Sequence, residues 1–276
     1  IEYAANDVKY LDAIREKQEF ELAAKELRKA LMVENSFVLS LAYIEFCGFK
    51  LDTAKWGAKS KSDRENFNLF KSKLDEYVIS NGHINYIDLQ GNLFSEGVTC
   101  SINWGSPKQV AEYFKFIGIP VSTDDGGESV GEKNIAKYQE DFPILKDYLS
   151  YKGYEKLIGT YGENFFNHVN PVTGRLHTNF KQVMDTGRIS SGGKNRETGE
   201  DYINFQNIPS DKNTRSCFVA EEGNSLLISD YSGQEQVVLA NYSLDKNILE
   251  FYDKGLADMH SFVASKMYKE LEGMDL

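Results

Sequence analysis

No two cysteines in this chain form a CxxC pair: Cys47, Cys100 and Cys217 are odd in number and far apart. That spacing excludes a disulfide framework and a structural zinc site, and it fits a reduced compartment such as the cytosol. Also missing are an uninterrupted run of eighteen apolar residues and a secretory leader before the first element, so the chain reads as soluble, with no membrane partner. Basic residues are in deficit, 31 Lys and Arg against 42 Asp and Glu, for a formal charge of −11. This argues against a surface that holds polyanions without selectivity. It leaves room for a local basic track, and metal-dependent sites themselves need acids that lower the total. There is no initiating methionine: Ile1 to Leu11 reads as the middle of an element, as expected of a piece cut from a longer polypeptide.

What is present is core-forming. The 276 residues are 41% hydrophobic and 13% aromatic, enough for one large domain or two ordinary ones. Asp7 to Leu31 is glycine-free and rich in Glu, Lys, Leu and Ala, a helical composition. Leu31 to Phe49 has the three-and-four spacing of a helix at Phe37, Val38, Leu41 and Ile44, with Asn35 or Ser36 placed to interrupt or cap it and Gly48 to stop it. Thr53 to Ser80 predicts a further helix with Phe67, Phe70, Leu74 and Val78 on one face, ended by Asn81-Gly82. Ile84 to Ile102 alternates with period two around turn signals at Gln90-Gly91-Asn92 and Glu96-Gly97, which predicts a hairpin. Ser106-Pro107 opens a short helix to Ile117, and helical patterning resumes over Glu132 to Tyr161. The polar, glycine-rich stretches Ser122 to Gly131 and Ser190 to Asp201 predict surface loops, the first a mobile linker whose carboxylates would repel phosphate.

In the last third, Leu226 to Ser229 predicts a buried strand, Glu235 to Asn241 a helix, Ile248 to Tyr252 a second ended by Gly255, and Asp258 the start of a third. An aspartate at the end of a buried strand, as Asp230 is, projects a carboxylate into the crevice above a sheet edge, where divalent metals bind; a plain turn aspartate is the structural alternative. Ser232-Gly233-Gln234-Glu235 has the S-x-x-E spacing of a capping box, a purely structural role for Glu235.

Five ordered motifs decide between such alternatives: Gly174-Arg175-Leu176-His177-Thr178, Asp185-Thr186-Gly187-Arg188-Ile189-Ser190-Ser191, Gln206-Asn207-Ile208-Pro209, Asp230-Tyr231-Ser232-Gly233-Gln234-Glu235 and Asp258-Met259-His260. In this order they resemble the landmarks of family A DNA polymerases, the bacterial DNA polymerase I type. Leu41 to Asp52 and Ile102 to Val110 resemble the opening of the polymerase domain and a thumb segment of the same family. The resemblance implies an incomplete α+β right hand, a mostly helical thumb and a partial palm with an antiparallel sheet. The ranges implied are 1–30 for the end of a 3′–5′ exonuclease domain, 31–165 for the first helices and thumb, 166–245 for the palm and 246–276 for the start of the fingers.

The same resemblance implies template-directed deoxynucleotidyl transfer in the intact protein, with primer-template DNA and deoxynucleoside triphosphates as partners, in the cytoplasm of a bacterial or phage-infected cell. Asp230 matches the first catalytic aspartate and would bind both of two Mg²⁺ ions, joined by the carbonyl of Tyr231; such a pair lowers the pKa of a primer hydroxyl and neutralises the leaving pyrophosphate. Glu235 matches the residue under the sugar that excludes a ribose hydroxyl. Arg188 resembles an arginine that reaches the minor groove at the primer terminus, where acceptors sit alike for every base pair. Gln206 and Asn207 match polar residues near template and primer, His260 a nucleotide-binding position, and Lys152, Lys156, Asn103, Ser106 and Lys108 contacts to backbone phosphate. Tyr3 and Asp7 look like the Y-x-x-x-D remnant of the exonuclease, without activity by themselves.

Departures accompany the match. Val237 stands where the family often has arginine, Gly233-Gln234 replaces the usual Gln-Ile in a pattern resembling phage members, and the stretch from Gly192 to Phe205 is longer than the usual turn. The fingers helix pattern K-x-x-x-F-G-x-x-Y-G and the H-D-E motif do not occur, so the chain alone is expected to bind nucleic acid weakly at most and not to extend a primer. Two rival readings are a non-catalytic nucleic-acid clamp that keeps the fold and a metal-dependent hydrolase built on Asp230.

Overall fold

The charged amino-terminal run folds as α1 (Leu11–Ala24) and α2 (Arg28–Cys47) in a computed structural model that describes residues 6, 8–88, 98–123, 125–194, 199, 201–255 and 259–268. The break between them falls at Lys25 to Leu27, where Glu26 takes φ 56, rather than at Asn35 or Ser36. Ser36 does not cap because its hydroxyl donates one turn back to the Met32 carbonyl at 2.8 Å, which keeps it inside the helix. Gly48 ends α2 with φ 56, and a Cβ there would stand 2.4 Å from the Leu176 carbonyl oxygen. By length and composition α2 could cross a membrane, although Glu34, Asn35, Ser36 and Glu45 interrupt its apolar run.

Strand β1 (Phe49–Leu51) leads into α3 (Thr53–Ser80), whose bounds agree with the sequence prediction. Asp52 caps it, its carboxylate accepting from the Lys55 amide at 3.0 Å, and Asn81 and Gly82 (φ 64) release it. The predicted hairpin is present in its stems, β2 (Ile87–Asp88) antiparallel to β3 (Thr99–Cys100); its turn signals lie outside the described residues. Helix α4 (Pro107–Phe116) begins with proline after Ser106, as predicted. The loop after it is tied: Ser122 bridges Glu128, the Thr123 amide donates to Gly127, and the Asn134 amide group donates to Val121 and Ser129 carbonyls.

Helices return over 132–161, as the patterning predicts, in separate pieces. α5 (Glu132–Ile135) passes into a 3-10 turn, and α6 (Ile144–Tyr161) starts afresh after Pro143, which has no amide proton to continue a helix but fits its beginning. Short strands follow: β4 (Arg175–Leu176), β5 (Phe180–Lys181), β6 (Ser190–Ser191), β7 (Gly193–Lys194) and β8 (Asp201–Tyr202), then α7 (Lys212–Arg215) and β9 (Phe218–Val219). The stretch expected to be a loop at 190–201 therefore carries strands: β5 pairs with β6, and β7 with β8, all antiparallel. β4, β1 and β9 form a three-stranded antiparallel sheet in that order, with Phe49 opposite Leu176 and Leu51 opposite Phe218.

Contacts divide the chain into two compact units, Ile1–Ser225 and Leu226–Leu276. The first holds two cores. One gathers Leu74, Val78, Trp104, Val110, Tyr113, Phe114, Leu145 and Tyr148; the other gathers Leu51, Trp56, Tyr161, Phe165, Leu176 and Cys217, with Trp56 stacked on Phe165 at 4.2 Å. In the second unit, α8 (Gln234–Ser243), α9 (Lys246–Asp253) and α10 (Met259–Met267) occupy the predicted positions. Asp245 caps α9 through the amides of Asn247 and Ile248. Leu226 to Ser229, expected as a buried strand, is neither strand nor buried, with Leu227 96% and Ile228 87% exposed. An apolar run becomes a strand only where another strand takes its backbone hydrogen bonds, and among the described residues none pairs with it.

Because Leu74 is fully buried in the first core, Leu74→Ala should cost about 3 kcal/mol, read as a lower urea midpoint with an unchanged slope.

Candidate nucleic-acid interface

The segment from Gly174 to Asn207 is braced by side chains rather than by long strands. Arg175 reaches the carbonyls of Cys47 (2.8 Å) and Gly48 (3.2 Å), where the end of α2 leaves acceptors unpaired, and its other nitrogen meets Glu221 at 3.0 Å. Lys50 pairs with the second Glu221 oxygen, and these two cations, Lys50 foremost, hold that carboxyl below its ordinary range. Thr178 and Ser191, each 4% exposed, face each other at 2.9 Å. With one proton apiece, Thr178 donates to the Ile203 carbonyl at 2.5 Å, while Ser191 donates to Thr178 and accepts from the Phe205 amide at 3.0 Å.

Gln206 continues this bracing. Its Oε1 accepts from the Ser191 amide and its Nε2 donates to the Ile189 carbonyl, both at 2.9 Å. The neighbouring Asn207 carbonyl accepts the Tyr161 hydroxyl at 2.5 Å, and burial raises the Tyr161 pKa above the usual phenol value. Arg188, exposed, leaves the turn closed by the Gly187 amide on the Met184 carbonyl at 2.9 Å, with Gly187 at φ 71.

The expected phosphate-binding lysines fall into two open clefts. Lys156 and Asn207 line one of about 700 Å³, together with Lys59, Asp63, Tyr154 and Ser210. Lys108 and Lys152 line another of about 450 Å³, with Glu128 and Tyr148, and Lys152 is ion-paired to Glu155 of its own helix. Asn103 and Ser106 line neither: the Asn103 side chain closes its own turn on the Gly105 amide at 3.0 Å, and Ser106 precedes α4 without a capping bond from its side chain.

Asp230 and Tyr231 stand in the second unit, both exposed, on a segment without regular structure. The cap position of α8 falls on Gly233, with φ 62 in the left-handed region, one residue past the Ser232 that the capping-box spacing predicts, and Glu235 lies in the first helical turn. That φ accounts for a glycine at 233, since any other residue there would be strained. His260 lies in α10, while Tyr3, Asp7 and Asp258 are outside the described residues. Among the described residues no group of three His, Cys, Asp or Glu could hold a metal ion.

The family model for DNA polymerase family A matches residues 87–275. The chain belongs to that family. Similar proteins include DNA polymerase I of Pseudomonas aeruginosa, 31% identical over 96% of this chain and 27% of its own length, and the thermostable DNA polymerase I of Thermus aquaticus, 31% identical over 86% of this chain and 26% of its own. The chain thus spans about a quarter of these relatives. A solved polymerase domain of Pol1 from M. smegmatis, in complex with DNA primer-template and dNTP, aligns with 83% of this chain and 36% of its own at a TM-score of 0.61 and 26% identity. The fold agrees with a partial polymerase: helices with small antiparallel sheets.

Sequence reasoning missed three features of this family A chain. The Thr178–Ser191–Ile203 contact and the Tyr161–Asn207 bond join residues 12 to 46 positions apart and leave no local pattern. The third, Lys59–Asp63 at 2.5 Å, has the i,i+4 spacing that could have found it, and its side chains are only 7% and 12% exposed.

Removing one partner of that pair strands a buried charge, so Asp63→Ala should cost about 3 kcal/mol, while the double change Lys59→Met with Asp63→Leu should recover most of it in the same denaturation assay. Acid should also weaken the fold. Hydrogen bonds to Lys55 lower the Asp52 pKa, and Lys50 and Arg175 lower that of Glu221. Their contribution is full above the unfolded value of about 4 and lost as pH falls through the folded values, so thermal midpoints should drop below about pH 4, and less steeply in Asp52→Asn.

Proposed function

We propose that in the intact protein these residues serve template-directed DNA synthesis, the transfer of deoxynucleotides onto a primer. The observation that carries this reading is the braced turn that presents Arg188 beside Gln206 and Asn207 in a chain of family A. An exposed guanidinium on a fixed turn suits the minor groove, where A·T and T·A present the same acceptors and only G·C adds a donor; it can test pairing geometry while ignoring sequence. Lys108, Lys152 and Lys156 supply phosphate contacts, which add affinity and salt dependence without base preference. DNA primer-template and dNTP are bound by the similar M. smegmatis domain, which supports the same partners here. The thumb, palm and fingers assignments over 31–165, 166–245 and 246–276, and an exonuclease end over 1–30, belong to this proposal.

Asp230 is assigned the catalytic carboxylate and Glu235 the selection of the sugar, with His260 beside the incoming nucleotide. Magnesium is a poorer fit to the described residues alone. A hard cation takes about six oxygen ligands, and Asp230 with the Tyr231 carbonyl offers too few; no metal-holding group of three occurs among the described residues. Two Mg²⁺ ions therefore need further ligands in the intact protein.

In primer extension by the intact protein, Asp230→Asn should lower the rate by at least about a hundredfold, in the range lost when one electrostatic partner of the reacting centre is removed. Normal extension by that variant would refute the catalytic assignment and favour the clamp. Glu235→Ala should raise ribonucleotide incorporation; unchanged sugar selectivity would remove Glu235 from the site.

A further inference from the structure

Gln206 is an exposed glutamine whose side-chain amide is nonetheless engaged at both ends, by groups of the strand that leaves Arg188. The Ile189 carbonyl is one residue beyond Arg188 and the Ser191 amide three beyond it, and both bonds are 2.9 Å, the usual length of a good N–H···O bond. We infer that Gln206 is a positioning residue: its carboxamide spans the Ile189 carbonyl and the Ser191 amide and so fixes the backbone from which Arg188 extends toward the primer terminus. This rests on the minor-groove reading of Arg188 proposed above.

The surroundings make the span rigid. Asn204 accepts from the Gln206 amide at 3.0 Å, which closes the turn that carries the glutamine. Tyr161, from α6, holds the next carbonyl, so the glutamine backbone is anchored to a helix while its side chain grips β6. On the other side Ser191 is pinned by Thr178 and by the Phe205 amide. Gln206 therefore joins an anchored segment to a braced one, and Arg188 precedes the braced one by one residue. A side chain with only a donor or only an acceptor makes one of the two bonds; asparagine, shorter by one methylene, does not reach both; leucine makes neither.

The consequence is specific. Losing Gln206 loosens where the guanidinium points and leaves its charge and the phosphate contacts in place. The test uses primers ending in guanine or in 3-deazaguanine, which lacks the minor-groove N3 acceptor, extended by the intact protein. Wild type should extend the guanine primer about tenfold to a hundredfold better, the discrimination that one such contact supplies. Arg188→Ala should bring that ratio to about one, and Gln206→Leu and Gln206→Asn should bring it most of the way there, with melting temperatures showing folded protein. A merely structural glutamine would change the melting temperature and keep the ratio. Gln206 variants that keep the wild-type ratio while Arg188→Ala loses it overturn the inference and leave the Arg188 reading standing. An Arg188→Ala protein that keeps the ratio removes the Arg188 reading, and this inference with it. Should neither Gln206 variant fold, hydrogen exchange on the unmodified chain decides: a protected Ser191 amide supports the span, and an unprotected one overturns it.

Discussion

One helix joins the two cores of the larger unit, and the rest of that unit depends on it. α3 has 28 residues, a length of about 42 Å, so it reaches from one hydrophobic cluster to the other. Trp56, near its start, is buried against Phe165 beside the three-stranded sheet; Leu74 and Val78, near its end, are buried with Trp104, Tyr113 and Tyr148. α6 packs along the same helix and contributes to both clusters, through Leu145 and Tyr148 at one end and Tyr161 at the other. Any change in the tilt of α3 would move the lysine-lined clefts relative to the sheet, because the lysines of interest ride on α4 and α6.

Upon that frame sit short elements that could not hold themselves in place. Two-residue strands have too few ladder bonds to be stable, and here buried hydroxyls, one carboxamide and one tyrosine hydroxyl replace the missing ladder. Arg175 and Lys50 on Glu221 do the same at the sheet edge while relieving the carbonyls at the end of α2. The net charge of −11 is compatible with this arrangement, because an interface for phosphates is built from a few cations in clefts and not from the total.

Where sequence signals were local they were legible. Asp52 before Thr53, and Asn81-Gly82 after Ser80, fix both ends of α3, and Pro107 fixes the start of α4. The family motifs identified the chain. Signals that depend on distant partners were not legible. Leu226 to Ser229 has strand composition yet pairs with no strand among the described residues. Ser232 and Glu235 have the capping-box spacing, but Gly233 adopts a left-handed conformation and takes the cap position itself. The bracing bonds of Gln206 were hidden for the same reason: their partners, Ser191 and Ile189, lie 15 and 17 residues away.

In the function proposed above, the larger unit presents a phosphate-tracking surface through Lys108, Lys152 and Lys156. Fluorescence anisotropy of a primer-template duplex, titrated with the chain over a range of low salt concentrations, tests it directly. Log affinity should fall linearly with log salt, and Lys108→Ala and Lys156→Ala should each make the slope shallower by about 0.9. Wild-type slopes in both variants would contradict it.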